Sequence, residues 1–446
     1  MKTILLLLDG IGDRSYKTLG SLTPLQAAAT PNLDKLAALG SNGLFHASLS
    51  GQCLPSETAH YLLLGYRLSE FPGRGLLEAV GEGIPFENDD VLVLAHLAGI
   101  ERMEGKPVLI HGRDHIEGSP GEIGELIGTI TPFETDGILF QLHQTRRNDA
   151  VLVMRGQVSP FVSDSDPILP GRPIAAVRPL SGNPECEAAA GTAEALNTYL
   201  AYCHRLLSRH EMNQKKIQEG KPAGNFLVTQ RSGRRIQTES FHERWGLRGM
   251  VVASVSVYAG IAHELGLDFV HVKDTEDAGK DLGERVCLAL EDLAHDFIHV
   301  HTKIPDEASH KGDPEKKRDA ISRLDRGLAG LVEVMKNAKD ILLVVMADHS
   351  TPSRSLLIHS GEPVPLCFVG ECVRRDAVHL YNEVSCSQGC LGFLKGEELM
   401  HMILNYSDRS SLFGHCLGPV QRPYMPLDYN PFQHEAPSFV DFKKEK

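Results

Sequence analysis

Seven side chains of this chain could do chemistry together, and each follows an apolar run. Asp9 ends the run ILLLL, and Ser56 stands in CLPSETAHYLLLGY. Asp306 and His310 follow FIHVHTKIP, Asp348 and His349 follow ILLVVMA, and His359 lies in LLIHSGEPVPL. Three carboxylates, three imidazoles and a hydroxyl form a mixed nitrogen and oxygen set suited to divalent cations. Two such ions about 4 Å apart can clamp the attacking and leaving oxygens of a phosphoryl displacement. Singly, each residue has a plainer reading. Asp9 would cap an Asp-Gly turn, Ser56 would cap a helix starting near Glu57, His310 would be a loop histidine and His359 a core one. The Asp348–His349 pair resists that treatment, because a carboxylate and an imidazole ending a buried strand are costly unless compensated.

The elements that must position these groups read as alternating strands and helices. Near-continuous apolar runs at 4–8, 250–257, 269–272, 297–302 and 341–345 are the pattern of strands buried on both faces. Residues 192–212 and 317–338 carry apolar positions three and four apart, the pattern of helices between them. The expected fold class is therefore α/β with a mostly parallel sheet, whose strand ends are where a site forms. Residues 101–180 are richer in Gly and Pro with short alternating pieces. They read as a smaller α+β insertion, leaving 1–100 and 181–446 as the main domain. From about residue 418 a Pro-rich tail predicts an extended arm over the surface.

Composition narrows the class. The 446 residues are 42% hydrophobic and 23% charged, with 58 acidic against 45 basic residues and a net charge of −13. That balance argues against nucleic acid as a partner, because phosphate backbones need Lys/Arg surfaces. The apolar run from Ile4 to Leu8 meets Asp9 too soon for a secretory core, and no run has the length of a membrane span. The expectation is a cytoplasmic protein. Nine scattered cysteines, without CxxC spacing, give no disulfide framework; Cys386 and Cys390 read better as buried thiols than as half a zinc site. Oligomeric state is not written in the sequence.

Longer blocks carry a resemblance. LLLDGIGDR (6–14), TPNLDKLA (30–37), SETAHYLLLGY (56–66) and GRGLLEAVGEGI (73–84) come first. GLRGMVVASVSVYAGIAHELGLD (246–268), HTKIPDEASHKGD (301–313), ADHSTPSRSLLIHSGEPVPL (347–366) and CLGFLKGEELM (390–400) follow. In order and wording they resemble the alkaline phosphatase superfamily and, within it, the archaeal-type cofactor-independent phosphoglycerate mutases. The resemblance implies a three-layer alkaline-phosphatase-like sandwich. It implies two divalent metal ions (Mn, Zn, Mg, Co or Fe), one on Asp306, His310 and His359, the other on Asp9, Ser56, Asp348 and His349. Ser56 would be the nucleophile of a phosphoserine cycle interconverting 3-phosphoglycerate and 2-phosphoglycerate, with Lys303 beside the transferring group.

The match thins in the substrate-reading part. Residues 93–105 lack the arginine that the family carries there, 108–118 keep only Arg113, and SDSDPI (163–168) lacks a histidine. Arg231, Arg234 and Arg235 of QRSGRR are the other candidates for holding a small phosphorylated substrate, each with a plainer reading as a solvated basic turn. The pattern leaves open a metal-dependent hydrolase of another phosphate, phosphonate or sulfate ester. Cys53-Leu54-Pro55-Ser56 also resembles the start of the sulfatase modification motif, but Glu57 stands where that motif has arginine.

Overall fold

In a computed structural model of the chain, describing residues 1–427 together with Tyr429 and Phe432, fourteen strands form two sheets. In chain order they are β1 (Lys2–Leu8), β2 (Ser41–His46), β3 (Val91–Met103), β4 (Lys106–His111), β5 (Phe133–Thr135), β6 (Ile138–Gln144) and β7 (Asp149–Arg155). Then come β8 (Phe226–Gly233), β9 (Gly249–Ala253), β10 (Asp268–His271), β11 (Phe297–Thr302), β12 (Ile341–Met346), β13 (Val364–Val369) and β14 (Gly392–Lys395).

The larger sheet has the order β10-β9-β11-β1-β12-β13-β2-β14. The five strands from β10 to β12 are parallel, and β13 alone runs against its neighbours. Strands β1, β11 and β12 are buried along almost their whole length. Helices therefore cover both faces, as continuous apolar strands require. Pairing of β1 with both β11 and β12 in parallel is what matters for function. It delivers Asp9, Lys303 and Asp348, each one or two residues beyond its strand, to one edge of the sheet.

The second sheet is β4-β3-β7-β6-β5, with β8 also paired to β3. It has its own core, in which Val93, Phe140 and Leu152 pack with Leu196, Tyr199 and Leu227. This unit reaches beyond residues 101–180 at both ends. β3 is one continuous strand of 13 residues that pairs with both β7 and β8, and the helix Cys186–Leu207 packs on the same core.

Other elements shift locally. The run at 250–257 is strand only to Ala253, and a helix starts at Ser256. The periodic stretch 317–338 is two helices, Pro314–Arg326 and Ala329–Met335, broken at Gly327 and Leu328. The stretch 192–212 belongs to the helix Cys186–Leu207, with His210 capping the next one. Cys386 is buried and Cys390 is exposed. Within the tail, Tyr424 bridges Ser410 and donates from its hydroxyl to Glu243 O at 3.2 Å, over the surface; residues 428, 430, 431 and 433–446 lie outside the described residues. Among the described residues no helix is long and apolar enough to cross a membrane.

Candidate active site at the carboxyl edge of the large sheet

The loops after β1, β11 and β12 meet the start of the helix Ser56–Leu63. Pro55 takes the N-cap position and Ser56 is the first helical residue, with no side-chain capping bond. Its hydroxyl is thereby released from capping and lies 2.9 Å from His349 Nε2 and 3.3 Å from Lys303 Nζ. Asp9 does not cap its own turn either. Its Oδ2 accepts from Tyr258 (2.7 Å), His301 Nε2 (3.1 Å) and Lys303 Nζ (3.1 Å), while Asp9 itself is fully buried. Asp348 is held by backbone, its Oδ1 accepting from the N–H groups of Gly10 and His349.

Asp306 sits one turn before His310 on the helix Ile304–His310, so both face the same way. Their closest atoms are 3.3 Å apart, and His359 Nε2 is 3.5 Å from the same Asp306 oxygen. The carboxylates and imidazoles fall into two overlapping groups with ligand-compatible spacing. One is Asp306, His310 and His359; the other is Asp9, Asp306 and His349. Asp306 thus stands between the two groups, and Asp348 Oδ2 joins the second at 3.2 Å from His349 Nε2.

Hydrogen bonding decides which nitrogen of each imidazole faces inward. Thr351 Oγ1 donates to Asp306 Oδ1 at 2.7 Å, so toward His349 it accepts from Nδ1–H at 3.2 Å. His359 Nδ1–H donates to Leu54 O at 2.7 Å. Both rings therefore turn an Nε2 lone pair into a nest of carboxylates, the orientation that outer partners impose on metal-ligating histidines. Asp9 Oδ1 and Asp348 Oδ2, both buried, have no hydrogen-bond partner among the described residues. Ser56 Oγ–H donates to His349 Nε2 at 2.9 Å, while Asp348 Oδ2 and Asp9 Oδ1 turn lone pairs toward the same nitrogen at 3.2 and 3.5 Å, a crowding that a cation among them would relieve. The donor set therefore fits divalent metal ions of the hard or borderline kind.

Burial and the neighbouring charges set the charge states within the cluster. Burial and the neighbouring His359 push His349 down to about 3, so its imidazole is neutral. Burial also pushes His60 down to about 3, helped by His301. For Asp9 and Asp306 burial opposes ionisation, but Lys303 outweighs it and holds both well below the usual carboxylate range. Asp348, buried and facing Asp9, is pushed well above it. Lys303 resists burial because Asp9 and Asp306 raise it. Its ammonium bridges those carboxylates at 3.1 and 3.0 Å.

Beside the cluster, Glu57 is buried between Arg231 Nη1 (2.7 Å) and Arg74 Nη1 (3.2 Å). Burial opposes its ionisation, yet these two arginines hold its carboxyl down to about 2. Next to it a cavity of 760 Å³ opens between the two sheets' domains, lined by Glu57, Phe71, Phe161 and Arg231 among others. Arg234 and Arg235 also line it, but pair with Glu185 and Glu264. Arg113 pairs with Asp149 through both carboxylate oxygens, with Nε donating at 2.6 Å. Of the four arginine candidates, only Arg231 reaches the neighbour of Ser56. Cys53 is exposed, while Ser56, three residues on, is the member of CLPS at the cluster.

Sequence reasoning missed Tyr258, His301, His60, Thr351, Glu57 and Arg74. His60 had a signal in its spacing, four residues after Ser56, where its Nδ1–H donates to Ser56 O at 2.7 Å. His301 opens the HTK triplet that also holds Lys303. Tyr258 left none, because its helix reads as ordinary core.

Comparison with known proteins agrees with the geometry. The model of the metalloenzyme superfamily matches residues 1–406. The 2,3-bisphosphoglycerate-independent phosphoglycerate mutase 2 of Methanocaldococcus jannaschii is 41% identical over 435 residues, spanning 96% of this chain and 98% of that protein. The corresponding mutase of Methanopyrus kandleri is 36% identical, over 93% of this chain and 98% of its own length. Among solved structures, a Pyrococcus horikoshii protein superposes with a TM-score of 0.73 at 27% identity, covering 93% of this chain and 99% of its own. The cofactor-independent phosphoglycerate mutase of Thermoplasma acidophilum gives a TM-score of 0.59 at 30% identity, covering 91% and 100%.

Proposed function

The chain belongs to the metalloenzyme superfamily and, within it, to the 2,3-bisphosphoglycerate-independent phosphoglycerate mutase family, and on that premise we propose that it interconverts 3-phosphoglycerate and 2-phosphoglycerate by metal-dependent phosphoryl transfer through Ser56. The observation that carries the reading is the Ser56 hydroxyl, buried and free of any capping role, 2.9 Å from a neutral His349 Nε2 and 3.3 Å from the Lys303 ammonium.

Two divalent ions are the expected complement, with Asp306, His310 and His359 as one set of ligands and Asp9, Ser56, Asp348 and His349 as the other. When bound, such ions supply a lowered hydroxyl pKa and charge neutralisation at the phosphoryl oxygens. The chain's own groups do the rest. Ser56 Oγ forms the new P–O bond as the bond from phosphorus to the glycerate 3-oxygen breaks, and that oxygen leaves as the hydroxyl. Lys303, fixed between Asp9 and Asp306, presents its ammonium to the transferring group. The glycerate 2-hydroxyl then takes the phosphoryl group from Ser56, which recovers its proton. Water must stay out during the phosphoserine stage, and closure between the two domains at the 760 Å³ cavity would serve that end.

The test is to incubate metal-loaded protein with 3-phosphoglycerate and follow 2-phosphoglycerate and free phosphate together. Isomer without phosphate is expected. Free phosphate alone would make the protein a hydrolase, and a Ser56→Ala variant with full activity would refute transfer through the serine.

A further inference from the structure

We propose that Arg74, positioned by Glu57, grips the carboxylate of the substrate, an assignment that rests on the mutase reading. Glu57 follows the nucleophile in the chain, and its side chain is 1% exposed. Its two oxygens are divided between two guanidiniums, Oε2 to Arg74 Nη1 at 3.2 Å and Oε1 to Arg231 Nη1 at 2.7 Å. Glu57 is thus shared between two arginines beside Ser56, and Arg74 Nε also lies 3.7 Å from Glu78 Oε2. The two arginines come from different domains. Arg74 starts the helix Arg74–Glu82, and Arg231 lies in β8 of the second sheet. Arg231 adopts a left-handed backbone (φ 53°) inside a strand, and Asp164 accepts its N–H at 2.7 Å. Such strain persists where the surroundings enforce it, often at functional sites.

Arg74 has capacity to spare. Among the described residues its one hydrogen bond is to Glu57; Nε is buried without a hydrogen-bond partner, with Glu78 Oε2 at 3.7 Å. Its side chain is nevertheless 20% exposed. Arg113, Arg234 and Arg235 each hold a separate carboxylate, whereas Arg74 shares Glu57 with Arg231. The GRG motif explains how Arg74 gets there. A Cβ on Gly73 (φ 93°) would lie 2.6 Å from Gly233 Cα, and one on Gly75 would lie 2.6 Å from Leu92 O. Only glycines let this helix start press against both β8 and β3, placing Arg74 at the junction of the domains.

The chemistry of the cycle supplies the ligand. While the phosphoryl group is on Ser56, the other product is glycerate, whose only charge is its carboxylate. A guanidinium fork matches a carboxylate in geometry and charge, and the carboxylate is the group that both phosphoglycerate isomers share. Holding it while the two hydroxyls exchange places keeps the intermediate from dissociating.

The experiment compares metal-loaded wild type with R74Q, R74K and E57Q by calorimetric titration of D-glycerate and, separately, inorganic phosphate, alongside steady-state kinetics and metal content. R74Q is expected to raise the glycerate Kd and the KM for 3-phosphoglycerate by about 10- to 100-fold. Phosphate affinity and metal content should stay as in wild type. R74K should fold, keep the charge, and still bind glycerate about 10-fold more weakly, because it lacks the fork. E57Q combined with R74Q should lose little more glycerate affinity than the worse single variant, since both act through one guanidinium. Wild-type glycerate affinity in R74K or R74Q, equal losses for glycerate and phosphate, or no glycerate binding by wild type would each overturn the assignment. Turnover is not needed for these titrations, so a wild type that fails to isomerise 3-phosphoglycerate defeats the mutase reading separately.

Discussion

The Nζ of Lys317 donates to the backbone oxygen of Gly10 at 2.8 Å, across 307 residues of chain. The same fully buried ammonium reaches Gly12 O and Thr351 O, both at 2.9 Å, and lies 3.3 Å from Asp13 Oδ2. It therefore braces the loop after β1 against the loop after β12, which carry Asp9 and the Asp348–His349 pair. Lys317→Met should remove a buried cation and leave three carbonyls without that donor and Asp13 with neutral donors such as Tyr16 and Ser353. A loss of about 3–5 kcal/mol in denaturant unfolding is expected. Metal affinity should also fall by about 10- to 100-fold, because ligand placement depends on such outer contacts. Metal titration of a folded Lys317→Met protein checks this, and unchanged affinity would mean that the brace serves stability alone.

Removing metal should destabilise the protein. Asp9, Asp306 and Asp348 converge, and among the described residues Lys303 is the fixed ammonium that pairs with the first two, so a chelator should lower the melting temperature and abolish activity. Restoring an ion at about 100 times its Kd should return roughly 2.7 kcal/mol. Because Asp306 belongs to both ligand groups, Asp306→Asn should lower bound metal more than His359→Ala does. Elemental analysis of the two variants decides it.

Lys303→Met should lower kcat by about 10²- to 10³-fold with little change in KM. The ammonium sits 3.3 Å from the attacking oxygen, while substrate anions are expected to find their binding energy elsewhere. A comparable rise in KM would instead make Lys303 a ground-state binding group. Steady-state kinetics at matched metal content distinguishes the two.

A pH effect is expected far from the site, at His295. Its Nε2 pairs with Asp268 at 2.8 Å and its Nδ1 with Asp292 at 3.1 Å. Burial lowers its pKa, but the two carboxylates outweigh burial and raise it above the ordinary 6.5. The charged form is thus favoured by folding, so the stabilisation is fully present below 6.5 and fades as pH rises through the raised value. His295→Gln should therefore cost up to about 1 kcal/mol in mildly acidic solution and progressively less in alkaline solution. Urea unfolding across that range measures it; a gap that widens with pH contradicts the sign.

Much of the fold was legible because its signals are local. The runs before Asp9, Lys303 and Asp348 are apolar on both faces, and that alone marks buried parallel strands with polar groups at their ends. The second domain was harder to bound. Its limits depend on β3 pairing with β8, more than a hundred residues away, and no short window of sequence carries such a pairing.

The sequence by itself determined the type of chemistry: the kinds of ligand, their order along the chain, and the serine among them. Tertiary structure alone decided how those groups are aimed. Whether Ser56 caps its helix or faces His349 depends on Pro55 taking the cap position and on a strand end 293 residues distant. Likewise Arg113, Arg231, Arg234 and Arg235 are equivalent as residue types. Only Arg231 meets Glu57, 174 positions away, while Arg74, which its motif identified merely as part of a conspicuous block, shares that carboxylate. Ion pairs and imidazole orientation are set by partners brought together through folding, and side-chain chemistry does not encode which partner arrives.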